Sequence, residues 1–331
     1  MTSRKLAVSV AVGANPLLAG VAQGKSEVKG VDVMGMEMTA PDIFWRQLRH
    51  QEFDVSEMSL SMLCQVLDQG GDSWAALPVF PARRFFHLDI HVRDGAGISV
   101  PADLSGRRIG VPDYVQTAAV WSRGFLQHDF GVRPGDVQWF VERPKGMSLG
   151  SAIDFAAPEG VSIEQIGTGD SQGRMLIDGR LDASLLHVSH NSLLDSRSDD
   201  WPAEKVQRLF SDLAGEGKRA FTARNFVPIS HCIVCRRSLL TEYPWLAGNL
   251  YDAFVASKRQ ARENSLAFLA PYRQIGVLDS KVSELGVDLT PYGIRENLEV
   301  LETLTSYLAE QGLTSRQLDL SEIFAPSTME R

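Results

Sequence analysis

A chain of 331 residues is long enough for two domains or one large one, and its apolar and charged fractions are those of a globular protein. The formal net charge of -8 and the lack of a Lys/Arg block exclude a general nucleic-acid binder, although a few local arginines suffice to select a small anion. No stretch approaches the roughly 20 apolar residues that a spanning helix needs, so no membrane partner is expected.

The chain opens on Arg4-Lys5 and an apolar run that soon meets Asn15-Pro16. That run is marginal as a signal peptide and reads better as a core strand over residues 5–12, which predicts a cytoplasmic protein. Strands over 28–36 and 53–58 alternate with an amphipathic helix over 41–50, opened by Thr39 or Asp42, and a helix over 59–69 with Ser59 as cap. Strands over 75–80 and 85–92 follow. In the second of these, Phe86, Leu88, Ile90 and Val92 point to a core, while His87, Asp89 and His91 share the other face. Arg83 and Arg84 stand just upstream. The segment suits an anion beside a proton donor; the alternative is an ordinary half-buried strand.

The pattern breaks at Asp94-Gly95-Ala96-Gly97, where a second unit starts. A turn and strand over 104–111, a helix over 117–128 and a strand over 137–141 precede a long loop over 142–159. A helix over 172–178 and strands over 183–186 and 206–210 complete this unit. Beyond it come a strand over 226–236, helix over 239–263 interrupted at Pro244-Trp245, and a helix over 295–311. The tail over 318–326 packs across the rest.

Cys232 and Cys235 form a Cys-x-x-Cys within the expected strand, where residues three apart face opposite sides; neither a shared metal nor a disulfide is natural there. Cys64 reads as a small buried side chain. Alternating strands and helices imply helices on mostly parallel sheets. Two such units joined by two crossings predict a bilobed α/β protein, with residues 1–94 plus 223–331 in one lobe and 95–222 in the other. Its ligand cleft lies between the lobes, at the strand carboxyl ends.

Several stretches resemble the 4,5-dihydroxyphthalate decarboxylase family. They are FDVSEMSLS at 53–61, LPVFPAR at 77–83 continuing to His87, GVPDY at 110–114, TAAVWSRG at 117–124, PISH at 228–231 and PWLAGNLYDAF at 244–254. They are spread in the family's order from residue 53 to 254, so the resemblance spans most of the chain. The chain departs from the family pattern at Phe86, where an arginine is expected, at Val115-Gln116, where Gln-Met is expected, and after Trp139, where a glycine pair is replaced by Phe140-Val-Glu-Arg-Pro.

The resemblance implies a type 2 periplasmic-binding-protein-like fold and the conversion of 4,5-dihydroxyphthalate to protocatechuate and carbon dioxide, without an organic cofactor. It nominates Arg83 and Arg123 as carboxylate clamps, because guanidinium pairs bidentately with carboxylate. His87 and His231 are the candidate general acids, with Glu57 orienting a histidine or accepting a phenol proton. Tyr114, Thr117 and Ser59 are expected to bond the ligand. A divalent metal stays open but without a convincing site: His87 and His91 would stand about 13 Å apart along a strand, and His187-x-x-His190 has no evident third ligand. The partner implied is a small aromatic carboxylate, and a homo-oligomer stays open. The alternative function is a non-catalytic binding protein or sensor for a small aromatic anion.

Overall fold

The structure is a computed structural model that describes residues 4–185, 194, 195, 203–274, 288 and 290–331. The first strand, β1 (Leu6–Gly13), is apolar and largely buried. It stops at Asn15, whose Oδ1 accepts the Leu17 N–H at 2.9 Å while Pro16 takes the first turn, so α1 (Pro16–Ala22) begins at once. Alternation continues through β2 (Val31–Met38), α2 (Ala40–His50), β3 (Val55–Ser59), α3 (Leu60–Asp68) and β4 (Trp74–Leu77). Ser59 holds the N-cap position of α3, but its hydroxyl makes no capping bond; it turns to another partner described below.

The second unit comprises β5 (Ile90–Arg93), β6 (Arg108–Val111), α4 (Thr117–Phe130), β7 (Gln138–Val141), α5 (Leu149–Ala152), β8 (Ser162–Gln165), α6 (Gln172–Ile177), β9 (Ala183–Leu185), β10 (Val206–Arg208) and α7 (Leu213–Arg224). The chain then returns through β11 (His231–Arg236), α8 (Arg237–Glu242), α9 (Leu246–Gln274), α10 (Leu298–Glu310) and α11 (Leu320–Ile323).

Two mixed sheets result, with strand orders β2-β1-β3-β11-β4 and β10-β5-β9-β6-β7-β8. In the first, β1 runs parallel to β2 and β3, and β11 runs antiparallel to β3 and β4. In the second, β9, β6, β7 and β8 are parallel, and β5 is antiparallel to β9 and β10. The two crossings between the units pair with each other. Arg83 bridges Ile229, Arg84 N–H donates to the Pro228 carbonyl at 3.2 Å, and Ser230 N–H donates to the Ala82 carbonyl at 2.9 Å.

Three expectations fail here. Residues 86–89 form a 3-10 turn, not strand, so the alternating faces proposed for His87, Asp89 and His91 do not exist. β5 joins the second sheet, so the chain leaves the first unit at the Ala82–Arg84 ladder and not after residue 94. The stretch over 142–159, expected as loop, contains α5, and neither β8 nor α7 was foreseen. Among the described residues, no helix is long and apolar enough to cross a membrane.

Candidate functional site

A cavity of about 330 Å³ opens where the crossings meet both units, within the roughly 300–1,000 Å³ range of small-molecule sites. The first unit contributes Pro41, Phe44, Ser59, Ser230 and His231 to its walls. The first crossing contributes Pro81–Arg84 and Phe86, and the second unit contributes Gln116, Thr117, Ala118, Arg143 and Leu149.

Strand register brings two ionisable groups together. Ser59 lies directly opposite His231, and Glu57 opposite Ile233, so Glu57 and His231 are diagonal neighbours on one face of the sheet. Glu57 is buried, and its Oε1 lies 2.6 Å from His231 Nδ1. Its Oε2 accepts the Gly13 N–H at 2.8 Å. An ionised carboxylate only accepts, so this contact places a proton on Nδ1. The ring also meets Phe44 edge-on, with centroids 4.8 Å apart. Among the described residues, no protein group bonds Nε2, the nitrogen left for a ligand.

Three arginines line the same cleft. Arg83 donates through Nη2 to the Pro291 carbonyl at 2.6 Å and to Asn297 Oδ1 at 2.5 Å, while its buried Nε has no partner. Burial pushes its pKa down to about 10, which still leaves it charged at neutral pH. Arg84 pairs with Asp89 at 3.0 Å and lies over the Phe86 ring. Arg143 is 3% exposed and grips Asp195 through two bonds of 2.7 and 3.0 Å. Burial opposes its charge, but Asp195 and then Asp113 outweigh that and raise its pKa.

The N-terminus of α4 forms another wall. Ser59 Oγ and Thr117 Oγ1 are 2.8 Å apart, and Thr117 Oγ1 also accepts the Ser61 N–H at 3.0 Å. These bonds tie α3 to α4 across the cleft floor.

No family model matches the chain. A 4,5-dihydroxyphthalate decarboxylase of Comamonas testosteroni is 32% identical over 330 residues, spanning 98% of this chain and 98% of that protein. The chain belongs to the 4,5-dihydroxyphthalate decarboxylase family. A second relative of that name, from Pseudomonas putida, is 37% identical over 179 residues, which is 54% of this chain and 69% of that protein. Among solved structures, the desulfurization enzyme DSZB aligns with a TM-score of 0.56 at 18% identity over 98% of both chains. The periplasmic aliphatic sulphonate binding protein SsuA from Escherichia coli aligns with a TM-score of 0.54 at 13% identity, over 98% of this chain and 99% of that one. At such identities the likeness shows the fold, which is the bilobed periplasmic-binding-protein one.

Within this member of the decarboxylase family, Glu57, Ser59, Arg83, Thr117 and His231 gather at or directly behind the cleft wall. His87, Arg123 and Tyr114 do not line it. His87 is fully buried, stacks on Phe125 at 4.4 Å and contacts Glu216 on α7 through Nε2 at 2.8 Å. Arg123 is spent inside the protein: Nε donates to Gln311 Oε1 at 2.8 Å and Nη1 to the Tyr114 carbonyl at 2.9 Å. Its guanidinium lies 3.8 Å from the centre of the buried Tyr114 ring.

Arg143 was missed because it sits in an irregular stretch without period. The one available signal was that Phe140-Val-Glu-Arg-Pro departs from the family pattern. The three-residue face read as a metal candidate is dispersed: Asp89 pairs with Arg84 and Arg208, and His91 Nδ1 meets the Asp89 carbonyl at 3.0 Å. Among the described residues, no group of three or more His, Cys, Asp or Glu is placed to hold a metal ion. His187 and His190 lie outside the described residues. The cysteines are free and buried, and burial pushes the thiols of Cys64 and Cys235 up to about 12.

Proposed function

We propose that the protein is a carboxy-lyase that converts 4,5-dihydroxyphthalate, or a close aromatic ortho-dicarboxylate, to the monoacid and carbon dioxide. The observation that carries this reading is the Glu57–His231 contact of 2.6 Å on the wall of a cleft bordered by three arginines. Family membership supports the same reading.

Arg83 meets a substrate carboxylate through its guanidinium edge, and Phe44 and Phe86 flank the ring. His231, in its imidazolium form, gives the Nε2 proton to the ipso carbon. The hydroxyl para to that carbon supplies electron density, the new C–H bond forms, and the C–CO2 bond breaks with its electrons returning to the ring. Carbon dioxide leaves, and His231 regains its proton from water. Glu57 holds the ring orientation and stabilises the charged imidazole throughout. The ring is its own electron source, so the proposed reaction calls for no organic cofactor.

The test is purified protein with 4,5-dihydroxyphthalate, following protocatechuate and released carbon dioxide with and without chelator. Expected is turnover in the wild type and a loss of roughly 10²- to 10⁴-fold in His231→Ala, with ligand binding partly kept. Tight binding without turnover in the wild type would establish the alternative, a binding protein for an aromatic anion.

A further inference from the structure

Gln116 holds the N-cap position of α4, and its main-chain carbonyl accepts the Ala119 and Val120 N–H groups at 3.0 and 3.1 Å. Its side chain does something else. The residue is only 7% exposed and lines the cleft, yet its Nε2 has no hydrogen-bond partner among the described residues. A buried amide donor left unpaired costs about 1–3 kcal/mol, so such a group is normally satisfied by something.

Beside it, Thr117 and Ala118 occupy the first two positions of a 14-residue helix and line the same cleft. The leading N–H groups of a helix have no partner within it, and they carry the positive end of the helix dipole. The Thr117 hydroxyl is not available, because Ser59 and Ser61 hold it. What remains on this wall as donors is the Gln116 Nε2 and the leading main-chain N–H groups. Across the crossing stands Arg83, whose buried Nε is also unpaired.

We infer that Gln116 and the first turn of α4 form a carboxylate subsite, distinct from the guanidinium of Arg83, and that together they select ligands with two adjacent carboxylates over those with one. The inference rests on the reading of the cleft as an aromatic-acid site. A planar carboxylate suits it: one oxygen takes the Gln116 amide and the other takes a main-chain N–H. The second carboxylate of an ortho-dicarboxylate then faces Arg83. A monoacid satisfies one subsite and leaves the other's donors unpaired, which is how a polar site rejects the analogue lacking a group.

The test uses phthalate, which carries both carboxylates but no ring hydroxyl to drive their loss, so binding is read without turnover. Titration calorimetry compares phthalate and benzoate on the wild type, Gln116→Met and Gln116→Glu, with thermal melting to confirm that each variant is folded. Expected is phthalate binding well above benzoate in the wild type. Gln116→Met should weaken phthalate roughly ten- to hundredfold, as for a lost bond to a charged group. Gln116→Glu, which sets a like charge in the subsite, should weaken it further. Phthalate affinity within twofold of wild type in folded Gln116→Met overturns the subsite, as does a wild type that prefers benzoate or binds neither. If 4,5-dihydroxyphthalate is bound but not converted while phthalate binding falls as expected, the proposed reaction fails and the subsite stands.

Discussion

Glu57 shows how a buried charge is made tolerable and directional at once. A carboxylate taken from water needs its oxygens bonded, and here Gly13 N–H serves one oxygen and His231 the other. Gly13 is required by closeness, since a Cβ there would stand 2.8 Å from Glu57 Oε2. Gly13→Ala should therefore displace the carboxylate and lower kcat by roughly tenfold, while Glu57→Gln should lower it by at least as much. Phthalate affinity should change little in both, as neither residue meets the ligand in the proposed scheme. Equal loss of binding and turnover in a steady-state and calorimetric comparison would place Glu57 in ligand binding instead. Glu57 and His231 were nominated in the sequence because both fall in stretches that resemble the family, and strand register then sets them side by side. Arg143 was not, because its loop offers no period from which to place it. Gln116 stood out only as a departure from the family pattern, and so did Phe86; both line the cleft.

Between residue and fold, the segment over 85–92 teaches why a two-residue period can mislead. Phe86, Leu88, Ile90 and Val92 alternate as a half-buried strand does, but His87 is itself apolar enough to be buried when neutral, and the turn over 86–89 buries it against Phe125. Its partners come from α7, whose glycines at 215 and 217 hide its helical character in the sequence. There Glu216 bonds both His87 and Arg219, and Asp129 of α4 bonds Arg219 and Arg224. With Glu216 ionised, the shared proton sits on His87 Nε2. Burial pulls the His87 pKa down, outweighing the bond to Glu216 that pushes it up. The folded state thus favours neutral imidazole, and acid protonates the unfolded chain first. This contribution to stability is present above the unfolded value of about 6.5 and is lost as pH falls from there towards the folded value. Burial raises the pKa of Glu216 and Asp129, but their arginine bonds outweigh it and lower both, so their losses come at more acid pH with the same sign. Urea unfolding at pH 7.5 and 5.5 should show the wild type losing more stability across that interval than His87→Gln. Equal losses would mean that His87 is not the titrating group.

At the scale of the whole molecule, alternation of strands and helices made both sheets and the two crossings readable, but not the exact boundary between the units. The boundary was drawn at a glycine-rich turn, whereas hydrogen bonding between Ala82–Arg84 and Pro228–Ser230 defines it; such pairing between distant segments leaves no local trace. α4 belongs by sequence to the second unit, yet it is fastened to α10 of the first. Trp121 donates its indole N–H to the Ile229 carbonyl at 2.7 Å, Arg123 bonds Gln311, and Gly124 lies so near the Tyr307 ring that a Cβ would come within 2.1 Å of it. Gly124→Ala should therefore force the two helices apart, destabilising the protein by roughly 1–3 kcal/mol. It should also weaken phthalate binding, because the cleft end of α4 moves with the helix. A variant with wild-type melting and affinity would show that Tyr307 yields without moving α4. The bond from Arg123 on α4 to Gln311 has a wider consequence. A transport protein of this shape profits from swinging shut and holding its cargo, whereas fixing the helix that bears a binding wall to the opposite unit resists such a swing. Whatever ligand the cleft takes, less of its affinity then need be spent on closure.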